Sequence, residues 1–374
     1  VLKVGHHFGG LDLVEADVLR RAMSGKTRSA SEFARLEARF FEGCRDFGYP
    51  DDVAREVWRQ IQSFAGYSFS KAHSASYAVE SYQSLYLKAH FPVEFMVAVI
   101  NNGGGFYAAE DYLREARRWG AHLEAPDVGR SGVATALDGT VVWLGWQHVV
   151  GLERGVVERL LTERAKAPFH SFEDFARRVP AGLPQLVRLI RVGAFRHLGY
   201  TKKELLWRAH LLHNAGRQPV GVVGEGLFAL PEAEVTLPAL AHHPLEDAYD
   251  ELELLGFCLD SPFDLVRPPE GVAWTLAREL PDAVGRRVRM LGYYLTAKPV
   301  TTKQGMRMAF GYFMDAAGEY FDTVHFPPSL AGFPLRGRGV YDLTGTVVAE
   351  FGVPSLEVTG AEKLPLRPDP RGET

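Results

Sequence analysis

The sequence predicts an α+β protein of several domains, with a helical N-terminal stretch, a mixed and basic middle, and a small C-terminal β-barrel. Three observations predict it. Apolar residues recur at three- and four-residue spacing over the first hundred positions, charge balance changes abruptly between consecutive segments, and the pattern turns to period two from about Arg286. The 374 residues, 46% hydrophobic and 24% charged, suffice for several cores.

In chain order, residues 14–23 and 31–43 carry helical periodicity, with Ser31 as an expected N-cap and Gly43 near the expected end. Asp51 and Asp52 open a third helix over 51–64, where their charge suits the positive end of its dipole. A long amphipathic helix is expected over Ser74–His90, and Pro92 sits at a first-turn position of the next. Gly103, Gly104 and Gly105 break the chain before a basic helix at 109–119. Ala125 to Val128 reads as extended, and residues 132–146 as a hairpin turning at Asp138-Gly139. Compact helices follow at 154–166, 171–179, 184–192 and 201–213, punctuated by Gly151, Pro168, Pro180 and Gly193. Residues 215–245 lack a regular pattern, and 246–256 suit a short acidic helix. The period-two region has turns at Lys303-Gln304-Gly305 and Ala317-Gly318; four to five antiparallel strands in this space suggest a closed barrel.

The net charge of −4 is a sum of unlike parts. Residues 1–108 hold 12 basic and 12 acidic side chains, 109–217 hold 17 and 12, 218–270 hold 1 and 11, and 271–374 hold 12 and 11. Clustered Lys and Arg in the middle suit phosphate contacts; a solvated surface beside an acidic linker fits the same counts. Cys44 and Cys258 stand far apart without a C-x-x-C, which excludes a disulfide scaffold and fits a reducing cytoplasm. No apolar run approaches the roughly 18 residues that span a bilayer, so no membrane partner is expected. The opening Val1 and its neighbours read like the middle of an element, so the chain is expected to be a piece of something longer.

Most catalytic constellations fail. Ser24-Gly25-Lys26-Thr27 ends like a phosphate-binding loop, but Arg20 stands where the leading glycine belongs. No Gly-x-Ser-x-Gly and no Asp-x-Asp occurs, and His6-His7 and His242-His243 are adjacent pairs that diverge in regular structure. The densest polar signal is residues 64–77, with four aromatics, four serines, Lys71 and His73 at a helix entrance. Free N–H groups beside Lys71 and His73 suit an anion; a capped helix start with inward aromatics suits the same residues. Arg20, Arg21 and Lys26 form a second basic cluster, or a solvated helix face.

Several segments together resemble the C-family bacterial DNA polymerases, that is, the alpha subunit of DNA polymerase III and its error-prone relatives. They are EADVLRRAMSGK (15–26), FAGYSFSKAHSASYAVESYQSLYLKAHFPVEFM (64–96), INNGGGFY (100–107), REARRWGAHLEAPDV (114–128), LIRVGAF (189–195) and the stretch from Pro299 to Pro327. NNGGGFY, the PDV segment and the extended arm look closer to the error-prone branch. The resemblance implies that residues 1–108 are late fingers of the polymerase and 109–214 a helix-hairpin-helix domain of clamp-binding type. It makes 215–270 an acidic linker or arm and 271–374 an OB-fold.

It further implies phosphate-facing roles toward a deoxynucleoside triphosphate for Arg20, Arg21, Lys26, Lys71 and His73, with Ser70 departing from the family's usual Asn. DNA contacts are implied for Gly151 in the hairpin and for Arg289, Tyr293, Lys303, Arg307, Phe310, Tyr312 and Phe321 on the barrel, about half of whose aromatics must fill its interior. Leu227 and Phe228 keep the Leu-Phe of a sliding-clamp peptide without its Gln. Primer-template and single-stranded DNA, the clamp and a palm-bearing polymerase portion are the implied partners. The catalytic aspartates and their Mg2+ are expected in that palm, so this chain is expected to bind no cofactor and to be inactive alone. A non-catalytic DNA-binding accessory protein built from polymerase-derived domains fits the same residues.

Overall fold

The computed structural model describes residues 1–23, 30–63, 71–215 and 240–372. The chain divides into two units, Val1–Leu87 and Lys88–Thr374. The first is helical, with α1 (Leu2–His7), α2 (Leu13–Met23), α3 (Ala30–Asp46), α4 (Asp51–Ser63) and most of α5 (Lys71–His90). Its core is built from the apolar stripes of α2, α3 and α4, where Leu19, Leu36, Phe40, Trp58 and Ile61 are buried.

Three boundaries differ from expectation. α3 starts at Ala30, so Ser31 lies inside it rather than capping it. Gly43 does not end that helix either. A Cβ there would stand 2.2 Å from the carbonyl oxygen of Gly9, so the glycine lets the Gly9-Gly10 loop cross α3 at backbone contact. The long helix begins at Lys71, three residues before the expected start. It has no buried stripe: Tyr77, Val79, Tyr82, Leu85, Tyr86 and Leu87 are all exposed, and their spacing distributes them around the helix.

The second unit opens with α6 (Pro92–Asn101) and α7 (Ala109–Arg118), then β1 (His122–Glu124), β2 (Ala136–Asp138) and β3 (Val141–Trp143). The expected hairpin is β2–β3, turning at Gly139 with φ 60°. β1 adds to it in parallel, giving the order β1-β3-β2. Next come α8 (Arg154–Lys166), α9 (Phe172–Arg178), α10 (Leu183–Arg191), α11 (Lys202–Ala215) and α12 (Leu245–Leu254). Phe172, Phe175 and Phe195 meet edge to face at the centre of this layer, with ring centroids 4.9–5.2 Å apart.

The barrel consists of β4 (Arg287–Thr301), β5 (Arg307–Met314), β6 (Tyr320–His325), β7 (Val340–Glu350) and β8 (Val353–Lys363), with α13 (Pro327–Gly332) between β6 and β7. It closes in the order β4-β5-β6-β8-β7, with β6 and β8 parallel and every other pair antiparallel. A five-stranded closed barrel with this order and a helix after the third strand has OB-fold topology. Alternation sorts β5 and β6. Ala309 and Phe313 of β5 and Phe321, Thr323 and His325 of β6 are buried, whereas Met308, Phe310, Tyr312, Asp322 and Val324 are not.

Candidate nucleic-acid interface

Gly151 sits in the turn before α8 with φ 72°, a conformation open to glycine. Gln185 of α10 clasps that turn: its side chain accepts from the Glu153 N–H at 3.0 Å and donates to the Gly151 carbonyl at 3.2 Å. The side chain of Arg188 lies over the glycine, where a Cβ would approach its Nε to 2.9 Å. Arg154, 92% exposed at the side chain, opens α8. The N–H groups of Val150, Leu152 and Glu153 are bonded within the chain and Arg154 pairs with Glu158 at 2.7 Å, so what the turn offers a phosphate is the charge of its two flanking arginines, which is indifferent to base identity. Sequence reasoning found Gly151 but missed Arg154 and Arg188; their helix-terminal positions beside the glycine were the available signal.

Part of the basic surplus of the middle segment is matched internally. Arg191 pairs with Asp250 at 2.7 Å and Lys203 with Glu246 at 3.0 Å, both carboxylates on the acidic helix α12. The charge steps between these segments therefore reflect, in part, one helix neutralising its neighbours.

On the barrel, Lys303 in the β4–β5 turn, Arg307 at the start of β5 and Phe310 on the outer face of β5 are exposed. Three expected contacts lie elsewhere. Tyr293 is 8% exposed, and its hydroxyl donates to Glu110 of α7 at 3.0 Å. It is on the outside of the barrel wall, but α7 covers it, and burial beside Glu110 pushes its phenol up. Arg289 lies toward β7, bound to Asp342 with Nε at 2.8 Å from Oδ1 and its guanidinium 5.2 Å from the Trp274 ring centre. Its charge is answered within the barrel. Phe321 is an interior residue, stacked 5.9 Å from Phe313. The β7–β8 turn adds a residue that sequence reasoning missed: Phe351, 99% exposed with φ 52° at the tip. A non-glycine residue at positive φ in full solvent exposure is uncommon.

Tyr312 is half-buried in a seam between α7 and the barrel. Glu110, 3% exposed, accepts from Arg114 at 2.8 Å, and Arg338 bridges Glu110 and Asp111, reaching the latter at 2.7 Å. Burial raises the Asp111 carboxyl above its ordinary range despite Arg338.

In the first unit, Arg20 and Arg21 converge on one carboxylate, each with Nε 2.8 Å from an oxygen of Asp17. The two arginines hold the Asp17 carboxyl below its ordinary value. The expected cluster is thus a set of i,i+3 and i,i+4 pairs on an exposed face, which are individually weak. His73 lies in the first turn of α5, its ring 4.4 Å from that of Tyr77, and Lys71 is the first residue of that helix. Lys26, Leu227 and Phe228 lie outside the described residues.

The model of the family described as "Helix-hairpin-helix motif" matches residues 120–205, the stretch that holds Gly151 and Gln185. Among curated proteins, the chain is 32% identical over 360 residues to an error-prone DNA polymerase of Anaeromyxobacter sp. (strain K), covering 89% of this chain and 31% of that protein. It is 34% identical over 267 residues to the DNA polymerase III subunit alpha of Thermus aquaticus, covering 69% of this chain and 21% of the relative. The corresponding subunit of Treponema pallidum is 31% identical over 348 residues, which is 87% of this chain and 29% of that one. The chain spans about three tenths of the length of the first of these relatives.

Proposed function

Since this chain belongs to the family of bacterial error-prone DNA polymerases and DNA polymerase III alpha subunits, we propose that it supplies the DNA-gripping part of such a polymerase. The observation that carries the reading is the pairing of a glycine-turn hairpin with an OB-type barrel in one unit. The hairpin of residues 109–214 takes duplex phosphates at Gly151, Arg154 and Arg188. The barrel of residues 271–374 takes single-stranded template on the β5 side, with Lys303 and Arg307 on phosphates and Phe310 and Phe351 under bases. Residues 1–108 act as late fingers, with Lys71, His73, Arg20, Arg21 and Lys26 turned to the triphosphate of the incoming nucleotide. The exposed apolar residues of α5 supply a contact for the palm-bearing portion. Leu227 and Phe228, in the arm of residues 215–270, dock on the sliding clamp.

Among the described residues, no group of three or more His, Cys, Asp or Glu side chains is placed to hold a metal ion, so they do not fit the Mg2+ that polymerase chemistry implies. The metal-dependent step belongs, in this proposal, to the part of the relatives that the chain does not span. Among the described residues no helix is long and apolar enough to cross a membrane, and the proposed setting is the cytoplasm.

Titration of a fluorescent oligonucleotide with the parent and with Lys303→Ala/Arg307→Ala/Phe310→Ala tests the barrel assignment. The expected result is at least tenfold weaker binding of a single strand, with a smaller loss on blunt duplex. Equal affinities for parent and variant would refute it. A pull-down on the bacterial sliding clamp, comparing the parent with Leu227→Ala/Phe228→Ala, tests the arm: retention of the parent alone is expected, and equal behaviour of the two contradicts the docking role.

A further inference from the structure

Between α7 and the barrel, wholly inside the second unit, lies a cleft of about 320 Å³. Tyr107, Tyr112, Tyr312 and Tyr320 line it with Asp111 and Arg118. The volume is at the lower end of ordinary small-ligand sites and admits one nucleobase. Its aromatic wall is ordered: Tyr312 and Tyr320 lie 5.4 Å apart at 32°, Tyr107 and Tyr312 6.2 Å apart at 41°, and Arg118 caps Tyr320 at 4.6 Å. Tyr312 stands two residues from Phe310 on the same side of β5, so the cleft continues the proposed single-strand path.

Asp111 is the second observation. It is 8% exposed, its Oδ2 is engaged by Arg338 at 2.7 Å and by the Ala108 N–H at 3.1 Å, and its buried Oδ1 has no hydrogen-bond partner among the described residues. A buried acceptor left open is uncommon in a folded protein and calls for a donor. A second cleft, of about 270 Å³, shares Arg118 with the first and adds Arg114, Arg117 and the turn Asp315 to Gly318. Arg114 and Arg118 are paired with Glu110 and Glu115, whereas Arg117 has no carboxylate within ion-pair distance among the described residues, so the positive charge this cleft offers beside the aromatic slot is chiefly that of Arg117.

We infer that the two clefts form one site for a nucleotide unit turned out of a single DNA strand. The base rests against Tyr107, Tyr312 and Tyr320 and donates an N–H hydrogen bond to Asp111 Oδ1, and its phosphate lies at Arg117 and Arg118. Bases with an exocyclic amino group are favoured. Cytosine and adenine offer an N–H at the edge of the ring, whereas the N3–H of thymine is flanked by two carbonyl oxygens that would face the Asp111 and Glu115 carboxylates. This inference rests on the proposed function of the barrel and adds base selection to it.

The test uses the full chain and a twelve-residue oligothymidylate, with and without one central cytidine. The expected result is at least fivefold tighter binding of the cytidine-bearing strand by the parent, and loss of that preference in Tyr312→Ala and in Asp111→Ala. Photocrosslinking of the parent to the same strand bearing 5-iodocytosine is expected to label Tyr107, Tyr312 or Tyr320, a readout independent of how any variant folds. Equal binding of the two strands, or crosslinks confined to other residues, overturns the site while leaving the function of the barrel intact. Deoxycytidine monophosphate competing as well as the strand overturns the extruded-base assignment in favour of a free nucleotide. No binding of either strand overturns the barrel's function and this site together.

Discussion

Replacing Arg338 by methionine removes one cation from a seam that holds two buried carboxylates. Glu110 keeps Arg114 at 2.8 Å and the Tyr293 hydroxyl at 3.0 Å, whereas Asp111 keeps only the backbone N–H of Ala108. Removing one partner of a buried pair costs about 3–5 kcal/mol, because the other charge stays desolvated. The Arg338 side chain is 33% exposed and Glu110 retains a second cation, so the expected loss is smaller, about 2–3 kcal/mol. The penalty also depends on pH. Asp111 already titrates above its ordinary range, and without Arg338 its folded-state affinity for a proton rises further. The folded variant therefore takes up a proton that the unfolded chain releases, and its deficit shrinks as pH falls toward the carboxylate range. Urea unfolding followed by tryptophan fluorescence at pH 8 and pH 5 measures both effects. A loss below about 0.5 kcal/mol at pH 8, or a deficit that grows on acidification, would mean that Arg338 is not the cation that compensates Asp111.

Glu251 of α12 is pushed up to about 7 by burial, against the amide of Leu259 donating to it at 2.8 Å. Its folded form holds a proton that the unfolded chain gives up from about pH 4.5, so its contribution to stability declines as pH rises to about 7. Glu251→Gln, whose amide oxygen can still accept from Leu259, is expected to be about 1–2 kcal/mol more stable than the parent at pH 8 and equal to it below pH 4.5, as read from denaturant midpoints. Gly151→Ala places a Cβ at φ 72° against Arg188 and is expected to cost about 1–2 kcal/mol and to weaken duplex binding more than single-strand binding, measured by denaturation and oligonucleotide titration. Gly43→Ala drives a methyl into the Gly9 carbonyl and is expected to lower the unfolding midpoint of the first unit by the equivalent of about 3 kcal/mol or more.

Much of the fold was legible because its elements are locally determined. The helix over Arg154–Lys166 and the turn at Gly139 follow from spacing and turn chemistry within a dozen residues, and the barrel follows from period-two runs broken by glycine turns. β1 was not legible: His122-Leu123-Glu124 has no alternation long enough to see, and only its partner β3 makes it a strand. The site was legible in outline and not in detail. Tyr293 and Tyr312 occupy the same kind of outer position, and what separates them is Glu110, 183 residues from Tyr293 in sequence. Asp17 is a different case: its i,i+3 and i,i+4 spacing to Arg20 and Arg21 was a cue in the sequence that went unused. Phe351 precedes Gly352 at a turn, a cue that went unused because the run before it reads as a strand reaching its end.

If the chain holds DNA through its phosphates, with bases resting on the barrel as proposed, binding must weaken with salt. Single-strand affinity of the full chain at 50 and 200 mM monovalent salt tests it most directly. Three or four phosphate contacts predict a fall of about 20- to 50-fold across that range. An affinity that does not change with salt would exclude phosphate contacts as the source of binding.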